Sequence, residues 1–349
     1  MPEILGHQPI LQRFRHALDT RRLHHALLFE GPPGVGKSLV ATWLAMAANC
    51  VATDSAAPTL LLGRPAAPPT VPCGSCDPCR WIAAGSFPDV QRIVPDPEKA
   101  TPTIAVDQIR EVVRQLGYHR FSGRRRFVII DPAEALPPAS ANALLKTLEE
   151  PPAETGFILI ASQAKTLLPT IVSRCQRVRF GPVPEPELAA WLARRNVEAP
   201  ERVARLALGA PGRALSLADG ALADRAKLRD GMFKAVAGDL GGIFAFSEQV
   251  CEGGNRQEWA QRVEAMLAII EELLVDVVTI GSGAERTLFN DDIPEIVDRW
   301  TRVLWPGGVA ACQRALGEAR RNMFANVAGR TLVDALLARL RTELGPGRR

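Results

Sequence analysis

The stretch ALLFEGPPGVGKSLVATWLAMAAN, residues 26–49, decides how the rest of the chain is read. It opens on a short apolar run, 26–30, passes through GPPGVGKS and continues into an apolar segment with helical spacing. The central residues fit G-x-x-x-x-G-K-[ST], with Gly31, Gly36, Lys37 and Ser38 at the defining positions and Gly34 between them. A strand before and a helix after are the context this motif requires. Glycines let backbone N–H groups curl around phosphates, Lys37 reaches the outer phosphates, and Ser38 offers its hydroxyl to Mg²⁺. A Gly/Pro turn that matches by accident is the plain alternative, and the flanking elements speak against it. These residues form a candidate site for ATP or ADP with Mg²⁺.

Working outward, residues 1 to about 181 alternate apolar runs with helical patterns, which predicts an α/β fold with a parallel sheet. The expected strands are 26–30, 89–94, 126–131, 156–162 and 177–180. The third and fourth are nearly continuous apolar runs, as expected of strands covered on both faces. Between them, ASANALLKTLEE (139–150) has helical spacing and is stopped by Pro151 and Pro152. RFVIID (126–131) ends on Asp131, where a Mg²⁺-associated carboxylate belongs. The position after it, where a water-activating glutamate would stand, is Pro132. Losing a positioned general base costs ~10²–10⁴-fold in rate. Glu134 is the nearest substitute, and a solvated or helix-capping acid is its plainer reading. The loop is therefore expected to hold nucleotide and hydrolyse it slowly or not at all.

CGSCDPCR supplies Cys73, Cys76 and Cys79, and Cys50 closes the helix that leaves the phosphate loop. Four thiolates suit tetrahedral Zn²⁺ in a structural role, since a closed four-ligand site leaves no open position for catalysis. An iron–sulfur cluster is the rival, but the ferredoxin-type run needs a cysteine at 83, which is Ala83. Free thiols are the bland alternative. Cys175, Cys251 and Cys312 stand apart and read as core or surface thiols.

The remaining features bound the class. The chain has 349 residues, 47% apolar and 23% charged, enough for two or three domains. Net charge is +4, with six Lys against 36 Arg, a skew more typical of genome composition than of function. That balance permits nucleic-acid contact without demanding it. The opening MPEILGHQPI lacks a charged segment followed by an apolar run, so no signal peptide is expected. The most apolar helix candidate, 266–280, carries Glu271, Glu272 and Asp276 and is not expected to span a membrane; a cytoplasmic protein is expected. Residues 51–72 read as an Ala/Pro-rich mobile insertion, and GPVPEPE (181–187) as a hinge. LALGAPGRALSLADG (206–220) reads as helix, turn, helix, and the pattern is helical from about 225, including 257–280, 307–325 and 327–343. HRFSGRRRF (119–127) could touch DNA phosphates, although solvated arginines flanking a buried strand are the commoner reading; base stacking is not expected. His24 and His25 read as structural or nucleotide-adjacent rather than metal-binding.

The phosphate loop, the inserted CGSCDPC knuckle, and NALLKTLEEPP followed by SRC (173–175) together resemble the bacterial clamp-loader AAA+ family. Within it the chain is more similar to the stator (delta prime) branch than to the gamma/tau motors, which carry Asp-Glu where this chain has Asp131-Pro132. The motifs span about residues 24–215. The resemblance implies a RecA-like AAA+ domain with its zinc module (1–181, cysteines 50–79), a small helical lid (182–224) and an all-α collar (225–349). It implies a DNA polymerase III hetero-pentamer with gamma/tau and delta subunits, loading the sliding clamp onto primed DNA. It also implies that Arg174 acts in trans as an arginine finger, that Ser162 stands at the γ-phosphate sensor, and that Arg213 lies one residue off the lid arginine's register. The chain's own ATPase is expected to be weak or absent. The alternative is the gamma/tau motor itself, disfavoured also because a full tau form would carry domains beyond residue 349.

Overall fold

The computed structural model describes residues 3–52, 71–96, 103–121, 123–253, 256–324 and 327–344. Most of the expected insertion, 53–70, lies outside them. The chain divides into two compact units, residues 1–215 and 216–349.

The first unit is an all-parallel five-stranded sheet with helices. In chain order its elements are α1 (Gln8–Asp19), β1 (Ala26–Glu30), α2 (Lys37–Asn49), α3 (Asp77–Ala83), β2 (Val90–Ile93), α4 (Val106–Leu116) and β3 (Arg126–Ile130). They continue as α5 (Pro138–Glu149), β4 (Thr155–Ala161), α6 (Pro169–Val172), β5 (Gln176–Arg179), α7 (Glu185–Ala193), α8 (Pro200–Leu206) and α9 (Pro211–Ser216). The strand order is β2-β3-β4-β1-β5, and each expected strand is found to within one residue. β1 sits between β4 and β5, with Phe29 level with Ile160 and Val178. β1, β3 and β4 are buried along their whole length, and two apolar clusters cover the sheet. One cluster joins Phe29, Phe127 and Ile158 to α2, and the other joins Leu28, Val128 and Leu159 to α4 and α5. This sandwiching is why the strands read as unbroken apolar runs. Of the stretch expected as a hinge, 181–187, only 181–184 lies outside helix. Helix α7 already begins at Glu185, because Pro186 falls in its first turn, where a missing N–H costs nothing.

The second unit is helical: α10 (Leu222–Ala237), α11 (Leu240–Cys251), α12 (Arg256–Gly281), α13 (Pro294–Leu304), α14 (Gly307–Phe324) and α15 (Gly329–Leu344). Its apolar core includes Met266, Ile270, Leu273, Leu316 and Leu337. The acids that interrupt the α12 pattern are absorbed by pairing. Buried Glu272 accepts from Arg225 Nη2 at 2.6 Å, and buried Asp276 accepts from the Phe289 and Asn290 amides at 2.7 and 2.9 Å. A buried carboxylate is tolerated only with such partners. No helix among the described residues is long and apolar enough to cross a membrane.

Candidate nucleotide site and cysteine knuckle

The phosphate loop hangs from β1 at the carboxyl end of the sheet, where ligands of open parallel sheets bind. Glu30, the last strand residue, is clamped by Arg177 at 2.7 Å and Arg179 at 2.8 Å from β5. Gly31 has φ +152°, and a Cβ there would meet the Phe180 carbonyl oxygen at 2.2 Å. Gly36 has φ +108° and leads directly into α2. Both positions are closed to side chains by conformation or by space. The loop is tied to α9 by the Gly212 amide, which donates to the Gly34 carbonyl at 2.9 Å. Lys37 is buried and donates Nζ to the carbonyls of Gly31 and Pro32. Burial holds its pKa below the ordinary value, and nearby Glu134 and Asp131 offset this only in part. A cation so placed gains from an arriving phosphate.

A cavity of about 590 Å³ opens over the loop, lined by Gly34, Gly36, Lys37, Ser38, Asp131 and Ser162 among others. The structure thus brings these six expected residues around one space. Gly31 stands behind the lysine rather than on the wall. From α9, Pro211, Gly212 and Leu215 line the cavity and Arg213 does not; Arg195, stacked over Trp191 at 4.2 Å, does. Arg195 follows a short helix with no motif around it, so sequence offered no signal for it.

Two further residues differ from expectation. Glu134 is neither solvated nor a helix cap: it accepts the backbone N–H of Ser162 and lines the cavity beside Lys37. Its second oxygen, Oε2, is buried without a protein hydrogen-bond partner. Arg92 of β2 engages the two groups assigned to Mg²⁺. Its Nη1 donates to Ser38 Oγ at 2.7 Å and lies 3.7 Å from Asp131 Oδ2, while Nη2 donates to Thr42 Oγ1 at 3.0 Å. It lies inside the expected strand DVQRIV, where no motif marks it.

The cysteine cluster assembles as expected. The Sγ atoms of Cys50, Cys73, Cys76 and Cys79 all lie within 4.8 Å of one another. Tetrahedral zinc with Zn–S near ~2.3 Å needs sulfurs about 3.8 Å apart, and Cys50 and Cys76 Sγ are 3.9 Å apart. The amides of Ser75 and Cys76 point at Cys73 Sγ, and the Cys73 amide points at Cys50 Sγ. The Ser75 hydroxyl and Cys76 amide bring the Cys73 thiol down to about 6, whereas burial pushes the Cys50 and Cys79 thiols up. Two buried thiols facing an electron-rich neighbour suit a cation bound among them, so the cluster can hold a metal. Among the other cysteines, Cys312 is buried in the helical core, and Cys175 is pushed up to about 12 by burial.

Arg174, just after α6, is held by Glu149 at the end of α5, through Nε at 2.6 Å and also through Nη2, and its Nη1 donates to the Thr170 carbonyl. The pair is part exposed, at the surface of its unit. The arginine-rich stretch is less solvated than expected. Arg126 is buried and donates to the carbonyls of Leu116 and Tyr118, and Arg125 donates to Leu23. Tyr118 and Phe121 are instead exposed beside it. His25 donates to the Leu148 carbonyl at 3.0 Å and stacks on His24, a structural arrangement.

A family model for DNA polymerase III, delta subunit, matches residues 6–184, just over half of the chain. DNA polymerase III subunit delta' of Pseudomonas aeruginosa is 40% identical over 197 residues, which covers 55% of this chain and 54% of the relative. Subunit delta' of Escherichia coli is 36% identical over 187 residues, covering 54% and 51%. Subunit tau of Escherichia coli is 32% identical over 270 residues, covering 77% of this chain and 36% of the relative. The chain thus spans about half the length of the delta' relatives it matches. With the family model fitting over the whole phosphate-loop sheet and its cysteine knuckle, the chain belongs to the DNA polymerase III delta subunit family.

Proposed function

We propose that this chain is the delta prime stator subunit of a DNA polymerase III clamp loader, which binds nucleotide without hydrolysing it efficiently. One observation carries the reading: a complete phosphate loop faces Asp131-Pro132, so the water-activating position holds a residue with no basic group to accept a proton. The nearest other carboxylate, Glu134, is engaged by the Ser162 amide. In this reading ATP or ADP lies over Gly34, Gly36, Lys37 and Ser38, and Ser162 contacts its outer phosphate. Mg²⁺ on Ser38 and Asp131 would have to displace Arg92. Zn²⁺ on Cys50, Cys73, Cys76 and Cys79 braces the start of the knuckle. Residues 1–181 are the AAA+ domain, 182–224 the lid and 225–349 the collar that joins gamma/tau and delta neighbours. Through that assembly the subunit serves ATP-dependent placement of the sliding clamp on primed DNA, and Arg174 reaches a neighbour's ATP. A guanidinium at such a position is worth ~10³–10⁵-fold in rate.

The second reading, a gamma/tau motor, draws on the longer tau alignment and on the Glu134 carboxylate in the cavity. Phosphate release by the purified chain alone, with and without primed DNA, separates the two. The stator reading expects no release above background in either case. Sustained turnover by the lone chain would overturn it.

A further inference from the structure

We propose that Arg92 is a built-in cation at the metal position, making this a nucleotide site that works without Mg²⁺. The inference rests on the nucleotide-binding reading above and goes beyond it. Phosphate-loop proteins set a hydroxyl on the loop helix and a carboxylate at a strand end around Mg²⁺. Here those groups are Ser38 Oγ and the Asp131 carboxylate, and one guanidinium reaches both, with Nη1 2.7 Å from the first and 3.7 Å from the second. The other nitrogen, Nη2, donates to Thr42 Oγ1 one turn further along α2, so the fork is anchored at three points.

Mg²⁺ does not fit this arrangement. It demands oxygen ligands at ~2.0–2.1 Å in an octahedron and keeps several waters. Bound to Ser38 Oγ, it would stand within about 5 Å of a guanidinium that cannot deprotonate. Two like charges at that distance oppose each other, and waters filling the octahedron would compete with Nη1. Arg92 supplies part of what the ion would. It brings a fixed positive charge, and with Nη1 donating to Ser38 Oγ it leaves the Ser38 hydroxyl proton for a phosphate oxygen. It cannot polarise the γ-phosphate as a divalent ion does. The arginine and Pro132 therefore act in the same sense: nucleotide held, cleavage not supported.

The experiment measures ADP affinity of the full chain by calorimetry in Mg²⁺ and in EDTA, for the wild type, Arg92→Met and Arg92→Lys. The wild type is expected to bind equally in both buffers. Arg92→Met should lose about 10–100-fold in EDTA, the scale of charge-assisted hydrogen bonds, and recover most of it with Mg²⁺; Arg92→Lys should fall between. Mn²⁺, followed by its paramagnetic resonance with ADP present, should be taken up by Arg92→Met and not by the wild type. Wild-type affinity rising tenfold or more with Mg²⁺ would overturn the assignment and leave the nucleotide site standing. Absence of ADP binding in both buffers would sink the nucleotide reading and this inference together.

Discussion

Stripping the metal from the cysteine knuckle should melt about fifteen residues, 73–87, and leave the sheet intact. Helix α3 spans only Asp77–Ala83, far below the length at which a helix persists in water by itself. Fixing about fifteen residues costs on the order of 15 kcal/mol in backbone entropy. Against this, Ile82 and Phe87 are the large apolar side chains of the segment buried in the cluster that also holds Trp43 and Ala47. Together they return about 5 kcal/mol. The deficit of about 10 kcal/mol matches the low end of what a structural zinc site supplies, ~10–16 kcal/mol. Hydrogen exchange read by mass spectrometry, before and after chelation and on Cys79→Ser, is the assay. Peptides from 73–87 should lose protection in both cases, while those of β1, β3 and β4 keep theirs, because Val90–Ile93 pairs with β3 independently of the knuckle. Elemental analysis should find one zinc per chain in the starting material. Unchanged protection of 73–87 in demonstrably metal-free protein would refute the reasoning, and iron in place of zinc would refute the identity of the ion.

Three further outcomes are expected. Lys37→Ala should weaken ADP binding by about 10–100-fold by calorimetry, yet leave the melting temperature of the nucleotide-free protein equal or higher, since burial disfavours this cation. Arg174→Ala should fold normally and lower ATP turnover of the reconstituted complex by up to ~10³-fold, whereas Glu149→Ala should spare turnover and cost less than about 1 kcal/mol, as surface pairs do; unchanged turnover in Arg174→Ala would exclude the finger. Burial raises the Glu30 carboxyl, but hydrogen bonds from Arg177 and Arg179 outweigh it and hold the net pKa below the ordinary 4.5. The clamp therefore stabilises the fold above that pH and fades as pH falls through the lowered value, so Glu30→Gln should flatten the acid side of a melting-temperature profile.

Much of the site was legible because its chemistry is local. The phosphate loop needs glycines at fixed offsets, a lysine and a hydroxyl, and the parallel sheet announces itself in apolar runs such as FVII and FILIA. The cysteine spacing likewise carries its own geometry, since three thiols within seven residues can reach one ion and only Cys50 had to be found from afar. Arg213 shows the limit of such reasoning. The resemblance puts it one residue off the lid arginine's register, and the turn of α9 puts Pro211, Gly212 and Leu215 on the cavity wall instead. Arg126 shows the same limit from the other side, because a charged residue opening a strand gave no hint that carbonyls of Leu116 and Tyr118 would take it into the interior.

Sequence alone determined the strands, the phosphate loop, the C-x₂-C-x₂-C run and the missing glutamate, because each depends on neighbours a few residues away. Tertiary structure alone decided which cation meets Ser38 and Asp131. Arg92 lies 54 residues from one and is paired with the other only because β2 docks beside β3 at the edge of the sheet. Strand order is settled by burial of whole faces rather than by any motif, and so the cation that meets Ser38 and Asp131 left no trace in the linear text.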